Sequence, residues 1–283
     1  MEAIRLLKKR PWGIPGAVIL LAVILLAALS PVIAPYFFNQ MNMTQLLEPP
    51  GGDFILGTDN LGRDIFSRFV YGSRPYLGTG LIAVGIASLL GILPGITFAR
   101  AGRKAQNILK VALIALSIIG GLTVLLAATM VVLRFIPFLS IGRLMTSIHG
   151  FGNTGLFMVI TGLLLSFIFL PSVYFSMRSA SIDGLKQGFI SLLSAIPVHL
   201  GVATGLAVVV IAPMSYYGFG IPPPLPEWGN MLSGAGPRYM LTAPWTVVAP
   251  NIAIAITLLG LVLFGLATRE IWFPTFPGTT EKF

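Results

Sequence analysis

Cysteine is absent from the 283 residues, histidine occurs only as His149 and His199, and Asp and Glu together number nine. The missing thiols exclude disulfides, thiolate metal sites, iron–sulfur clusters and cysteine nucleophiles, and leave the compartment undecided. Two distant histidines and a few scattered carboxylates form no metal cluster, and they suggest no cofactor. Charge is scarce throughout: 18 Lys and Arg and nine acids make up 10% of the chain, against 55% hydrophobic residues and a mean hydropathy of +0.90. So few polar groups cannot cover a water-soluble surface, and the chain is an integral membrane protein of the all-α class.

What is present is apolar and periodic. Six runs, 14–33, 77–99, 111–133, 155–177, 198–219 and 245–268, each hold 20 to 24 residues, enough to cross ~30 Å of hydrocarbon as a helix. The net charge of +9 has an ordinary source in loops that meet anionic lipid, so nucleic acid is not a partner. With the N-terminus inside, the interior holds 12 of the 18 Lys and Arg, among them Arg5, Lys8, Lys9, Arg10, Arg103 and Lys104. The exterior holds Arg63, Arg68, Arg74, Arg134, Arg143 and Arg238. This bias predicts both termini in the cytoplasm. The first run is longer than a usual signal core and is read as an uncleaved span, with Trp12 at the interface. The expected organisation is a basic cytoplasmic segment 1–12, a six-helix domain 13–268 and a cytoplasmic tail 269–283.

One stretch breaks the apolar pattern. "ILGTDNLGRDIFSRFVYGSRPYL", residues 55–77, is dense in charge and turn formers. Thr58 and Asp59 are candidate caps for a helix over 61–72. Ile65, Phe66, Phe69 and Val70 would line one side, with Arg63, Asp64, Ser67 and Arg68 on the other. This predicts an amphipathic helix at the outer surface before the second span, either solvated on its polar side or touching substrate. If Asp59 only caps, Asp59→Ala is a mild lesion.

These residues carry a resemblance. Gly57, Thr58, Asp59, Gly62, Arg63, Asp64, Ser67 and Arg68, continuing through Tyr71 and Gly72, are similar to the "LGTDxxGRDxxSRxxYG" signature of the C-type permease subunits of oligopeptide, dipeptide and nickel ABC importers. A second block, "SYYGFGIPPPLPEWGNML" from Ser215, resembles that family's "SFLGxGxxPPxxxWGxML" through Gly218, Gly220, Pro223, Trp228 and Gly229. A third, "YMLTAPWTVVAP" over 239–250, resembles "LxxAPWxxxxP". The three blocks stand in the family's order across 55–250. The resemblance implies a prokaryotic inner-membrane subunit that pairs with a sister permease to line a substrate path. Two cytoplasmic ATPases would drive the pair and an exterior solute-binding protein would supply it with peptide or metal chelate.

The chain departs from that family in its C-terminal "GLATREIWFPTFPGTTEKF", where "GDxLRDxLDPR" is usual, and in one cytoplasmic loop. In that family the ATPase docks on a cytoplasmic "EAA" loop between the fourth and fifth spans, and here about twenty residues of the family's usual length are missing. One register pairs Gly184 with Pro197, 13 apart, and matches Ala180, but sets Arg178 where an acid belongs. The other register deletes the motif. The remaining 178–197 segment is expected to hold one short helix hugging the membrane, with Asp183 and Lys186 as its charged contacts. Two readings follow: a working permease half, or a permease-derived accessory subunit of a larger membrane complex that has lost its ATPase.

The spans offer no chemistry of their own. No Asp, Glu, Lys or Arg falls within the core of a proposed span, and no phosphate loop, Ser–His–acid set or carboxylate pair marks an enzyme. His199 reads as a hydrogen-bonded interfacial residue, Trp228 and Trp245 as interfacial anchors, and the glycines of the second and fifth spans as sites of close helix packing.

Overall fold

The computed structural model describes residues 10–99, 103–133, 154–183, 185–218 and 220–268. The basic residues before Arg10, Arg100, Arg134, Arg143, His149, Gly184, Phe219 and the 269–283 tail lie outside them. Among the described residues the fold is all-helical. Its elements are α1 (Gly13–Ile33), α2 (Ile65–Tyr71), α3 (Arg74–Ala99), α4 (Arg103–Leu133), α5 (Thr154–Asp183), α6 (Leu185–Tyr216), α7 (Trp228–Tyr239) and α8 (Trp245–Ala267).

Each of the six long helices takes in most or all of one apolar run. Five contain stretches long and apolar enough to cross a membrane, and α5 contributes the apolar stretch Met158–Tyr174. α3, α5 and α6 pack around one another, with α4 against α5 and α6. Their shared core holds Tyr76, Leu165, Phe169, Tyr174 and Ile211, all fully buried. His199 lies inside this core, not at an interface: its Nε2 is 2.9 Å from the Ser172 hydroxyl and its ring meets Phe169 edge-on.

α1 and α8 form a flanking pair. They cross where Gly16 meets Gly260, and a Cβ at Gly16 would stand 2.6 Å from the Phe264 nitrogen and 2.7 Å from the Gly260 oxygen. Only hydrogen fits there, so the two backbones approach as small-residue pairs do in membranes. Leu20 of α1 and Phe264 of α8 then join the pair to α6 beside Gly201. In α3, Gly80 and Gly91 play the packing role expected of them, against Thr204 and Val173.

One expectation fails in outline. No separate helix stands between the fourth and fifth spans: α5 continues to Asp183 and α6 begins at Leu185. Counting apolar residues truncated both helices, because a helix may carry its polar end beyond the hydrocarbon. At 30 and 32 residues they measure about 45 and 48 Å, against ~30 Å of bilayer core.

Candidate functional site

The three sequence blocks converge on one end of the bundle. The first is a folded loop that leads into α2. Thr58 is fully buried, its hydroxyl donating to the Gln45 carbonyl (2.6 Å) and accepting from the Glu48 N–H (2.8 Å). Asp59 organises the next turn: Oδ1 accepts from the N–H groups of Leu61 and Arg63, and Oδ2 accepts from Arg63 Nε at 2.7 Å. Arg68 Nε stands 3.7 Å from the same Oδ2. Gly62 closes the turn at φ +67°, with the Asn42 oxygen 1.8 Å from where a Cβ would sit. Gly57, at φ +75°, also has no room for a Cβ, which would stand 2.4 Å from the Glu48 oxygen and 2.9 Å from the Trp245 ring.

The expected cap at Thr58 or Asp59 is therefore wrong. Both are committed to the loop, and the left-handed Gly62 prevents a helix from starting at Leu61. Asp64 is extended at φ −63°, ψ 120°, and its Oδ2 accepts from the Ser67 N–H (2.7 Å) and hydroxyl (2.5 Å), so α2 begins at Ile65.

The polar side of α2 is not solvated either. Arg63, Asp64, Ser67 and Arg68 are all buried, whereas Phe66 and Phe69 are only half-buried. The 36–64 loop covers that side: the Tyr36 N–H donates to the Ser67 hydroxyl (3.1 Å), and Arg68 Nη1 donates to the Phe38 carbonyl (3.1 Å). Period counting sees one helix; it does not see what the preceding chain lays over it.

Arg68 also reaches the second block, donating to the Pro224 carbonyl at 3.3 Å. In that block Gly220 packs against Ser215, whose hydroxyl accepts from the Ile221 N–H at 3.0 Å. Pro223 precedes a cis bond to Pro224. Gly218 is exposed at φ +82° with open space around it. Gly229 is pressed onto the Ala212 carbonyl, 1.9 Å from a would-be Cβ. Trp228 is buried to 1% exposure. Its indole stacks on Phe69, tilts against Tyr76 and donates to the Phe69 carbonyl at 2.9 Å. The interfacial-anchor reading of Trp228 is thus corrected. It is a core residue, because α2 and the start of α3 fold over both of its faces.

Beside Trp228 sits a group that the sequence did not single out. Glu227 is fully buried and caps α7 through the N–H groups of Gly229 (2.8 Å) and Asn230 (2.9 Å). The Tyr76 hydroxyl donates to the same carboxyl. Asn230 answers with its side chain to the Glu227 N–H, a reciprocal capping box. Burial pushes the carboxyl up from 4.5 to about 7, against the pull of those hydrogen bonds. Glu followed three residues on by Asn, just after a proline run, is a signal that could have revealed the cap. Nothing marks Tyr76, which opens an apolar span.

The third block closes the cluster. Trp245 is half-buried, and its indole N–H donates to the Thr58 carbonyl at 3.2 Å. The cluster is a joint: Asp59 faces Arg63 and Arg68, Arg68 reaches backbone carbonyls, and Glu227 accepts from backbone N–H groups and the Tyr76 hydroxyl. Among the described residues no group of His, Cys, Asp and Glu could hold a metal.

The remaining candidates stand elsewhere. Arg178, Ala180 and Asp183 fall on the last turns of α5 and Lys186 on the first turn of α6. Gly184, between the two helices, lies outside the described residues. Pro197 is exposed within α6, 13 positions and about 20 Å along the chain from Gly184. The register that joins those two residues therefore does not describe a compact loop.

Comparison with known proteins agrees with the blocks. The family described as the N-terminal TM domain of oligopeptide transport permease C matches residues 1–50. A dipeptide transport system permease protein of Alkalihalophilus pseudofirmus is 29% identical, over 96% of this chain and 89% of its own length. A di/tripeptide transport system permease protein of Pseudomonas aeruginosa is 30% identical, over 92% of this chain and 86% of its own. An oligopeptide transport system permease protein of Bacillus subtilis is 29% identical, over 92% and 84%.

Proposed function

The chain belongs to the family of dipeptide and oligopeptide transport permease C subunits, and from that premise we propose that it lines the membrane path of an ABC importer for peptides or a related small solute. The observation that carries this reading is the extent of the match, which takes in 92% of this chain at 30% identity and 96% of it at 29%. It favours the transport reading over the accessory one, since the relatives are named for transport.

On this reading the chain performs no catalysis itself. It pairs with a sister permease, ATP is bound and cleaved by two cytoplasmic ATPases, and an exterior binding protein presents the solute. Both termini are cytoplasmic, which the Lys and Arg asymmetry supports. The signature cluster then lies outside and holds the exterior ends of the helices in register. The α5–α6 turn, with Arg178, Ala180, Asp183, Gly184 and Lys186, is the candidate contact for an ATPase, because both helices are long enough to project past the bilayer.

The test is ATP-dependent uptake of labelled peptide by vesicles holding this chain, its sister permease, the ATPases and the binding protein. Uptake with the full set and none without this chain supports the proposal. A complex that assembles stably and moves no solute sinks it. Topology is tested by labelling a single cysteine. The cysteine belongs at exposed Asp53. Labelling there from the cytoplasm alone would reverse the orientation.

A further inference from the structure

Between α1 and α8, beyond the Gly16–Gly260 crossing, the two helices part and leave a groove of about 740 Å³. We propose that this groove is a lipid site, holding one acyl chain of a phospholipid from the leaflet on the Trp245 side. The inference does not depend on which solute the protein carries.

The lining sets the chemistry. α1 contributes Val18, Ala22 and Leu26, α8 contributes Val248, Ile252 and Ile256, and the far end is roofed by Phe69, Trp228 and Trp245. The polar atoms of this wall are turned elsewhere. Thr257 donates its hydroxyl to the Ala253 carbonyl (2.7 Å), and the two indole N–H groups donate to the carbonyls of Phe69 and Thr58. A peptide bound here would bury its amides with no partner, at several kcal/mol each. Water would find no hydrogen bonds. A hydrocarbon chain loses nothing by entering.

The shape sets the size. Val18, Val248, Ile252 and Ile256 are each about half exposed, so the groove opens sideways into the hydrocarbon. From Val248 to Thr257 is nine residues of α8, about 14 Å, or half of the ~30 Å apolar thickness. That is the depth of one leaflet. A transmembrane helix of a partner would need the full thickness, and Ile19 fills the space over Gly260 where the groove ends. The volume is roughly five times that of an apolar cavity of ~150 Å³ that takes up a benzene ring, which is room for a long acyl chain.

The experiment fills the groove. Ala253, a small half-buried residue of its wall, is changed to Phe, and Val262, on the exposed face of α8 away from it, is changed to Phe as control. Each full-length protein, assembled with its partner subunits in vesicles of phosphatidylethanolamine and phosphatidylglycerol, is extracted mildly and weighed by native mass spectrometry. The expected result is one retained phospholipid per chain in the unmodified protein and Val262→Phe, and about a tenfold fall in Ala253→Phe. Equal retention by both variants, or none by the unmodified protein, overturns the proposal. A diazirine-bearing residue of similar size in place of Ile252, a half-exposed wall residue, guards against a folding defect, since it leaves the groove open. Adducts of phospholipid mass are expected, and adducts to another polypeptide would assign the groove to a partner helix instead.

Discussion

The indole N–H of Trp228 donates to the carbonyl of Phe69 at 2.9 Å, across 159 positions of chain. This bond and the ring stacking beside it join the first signature block to the second, and Tyr76 of α3 rests against the same indole. Trp228→Phe keeps most of the ring and strands the Phe69 carbonyl, an expected cost of about 1–2 kcal/mol. Trp228→Ala also opens a cavity and should cost about 3–5 kcal/mol. Thermal unfolding of the purified complex ranks them; equal, small effects would mean that Trp228 is not a core residue.

Asp59 should matter more than Asp64. Removing Asp59 leaves Arg63 and Arg68 buried without their carboxylate, and breaking a buried pair in this way costs about 3–5 kcal/mol. Asp64→Ala removes one helix cap, about 1 kcal/mol. This reverses the mild lesion that a capping role predicts for Asp59. The yield of assembled complex for the two variants, compared side by side, decides the order.

Gly62→Ala is expected to be severe although it adds one methyl. The backbone is left-handed there and the Asn42 carbonyl occupies the Cβ position, so strain and collision combine. Gly218→Ala meets open space and should show the strain alone. A smaller loss of yield for Gly218→Ala than for Gly62→Ala is the check.

Glu227 links the joint to pH. Its folded carboxyl is raised from 4.5 to about 7 by burial, so folding favours the neutral form. That contribution is full below about pH 4.5 and is lost as pH rises through about 7. Unfolding temperatures of the unmodified complex should therefore fall between about pH 5 and pH 8, and Glu227→Gln should flatten that slope. Identical slopes in the two proteins would show that Glu227 does not titrate in this range.

Gly184 lies between the ends of α5 and α6, at the proposed ATPase contact. Gly184→Trp should abolish ATP-dependent uptake while the subunits still co-purify. Uptake that survives the substitution would move the contact elsewhere.

Composition and spacing alone determined the solvent and the scaffold. An apolar run of some twenty residues has one stable form in hydrocarbon, because every backbone group must be satisfied within it, so α1 and α8 match their predicted spans almost residue for residue. The motif blocks likewise identified the family, since side-chain identity in order is a property of the chain itself. What the sequence could not decide was which polar groups meet. Arg68 lies 156 positions from Pro224, and Glu227 lies 151 from Tyr76. Whether a charged face is solvated or roofed over depends on chain that folds back from elsewhere, so only the tertiary structure turned a predicted surface helix into a buried joint. The same holds at the opposite end of α5, where polarity suggested a loop and helix geometry continued. Periodicity reports the local environment a residue prefers, and the environment it receives is set by packing at a distance.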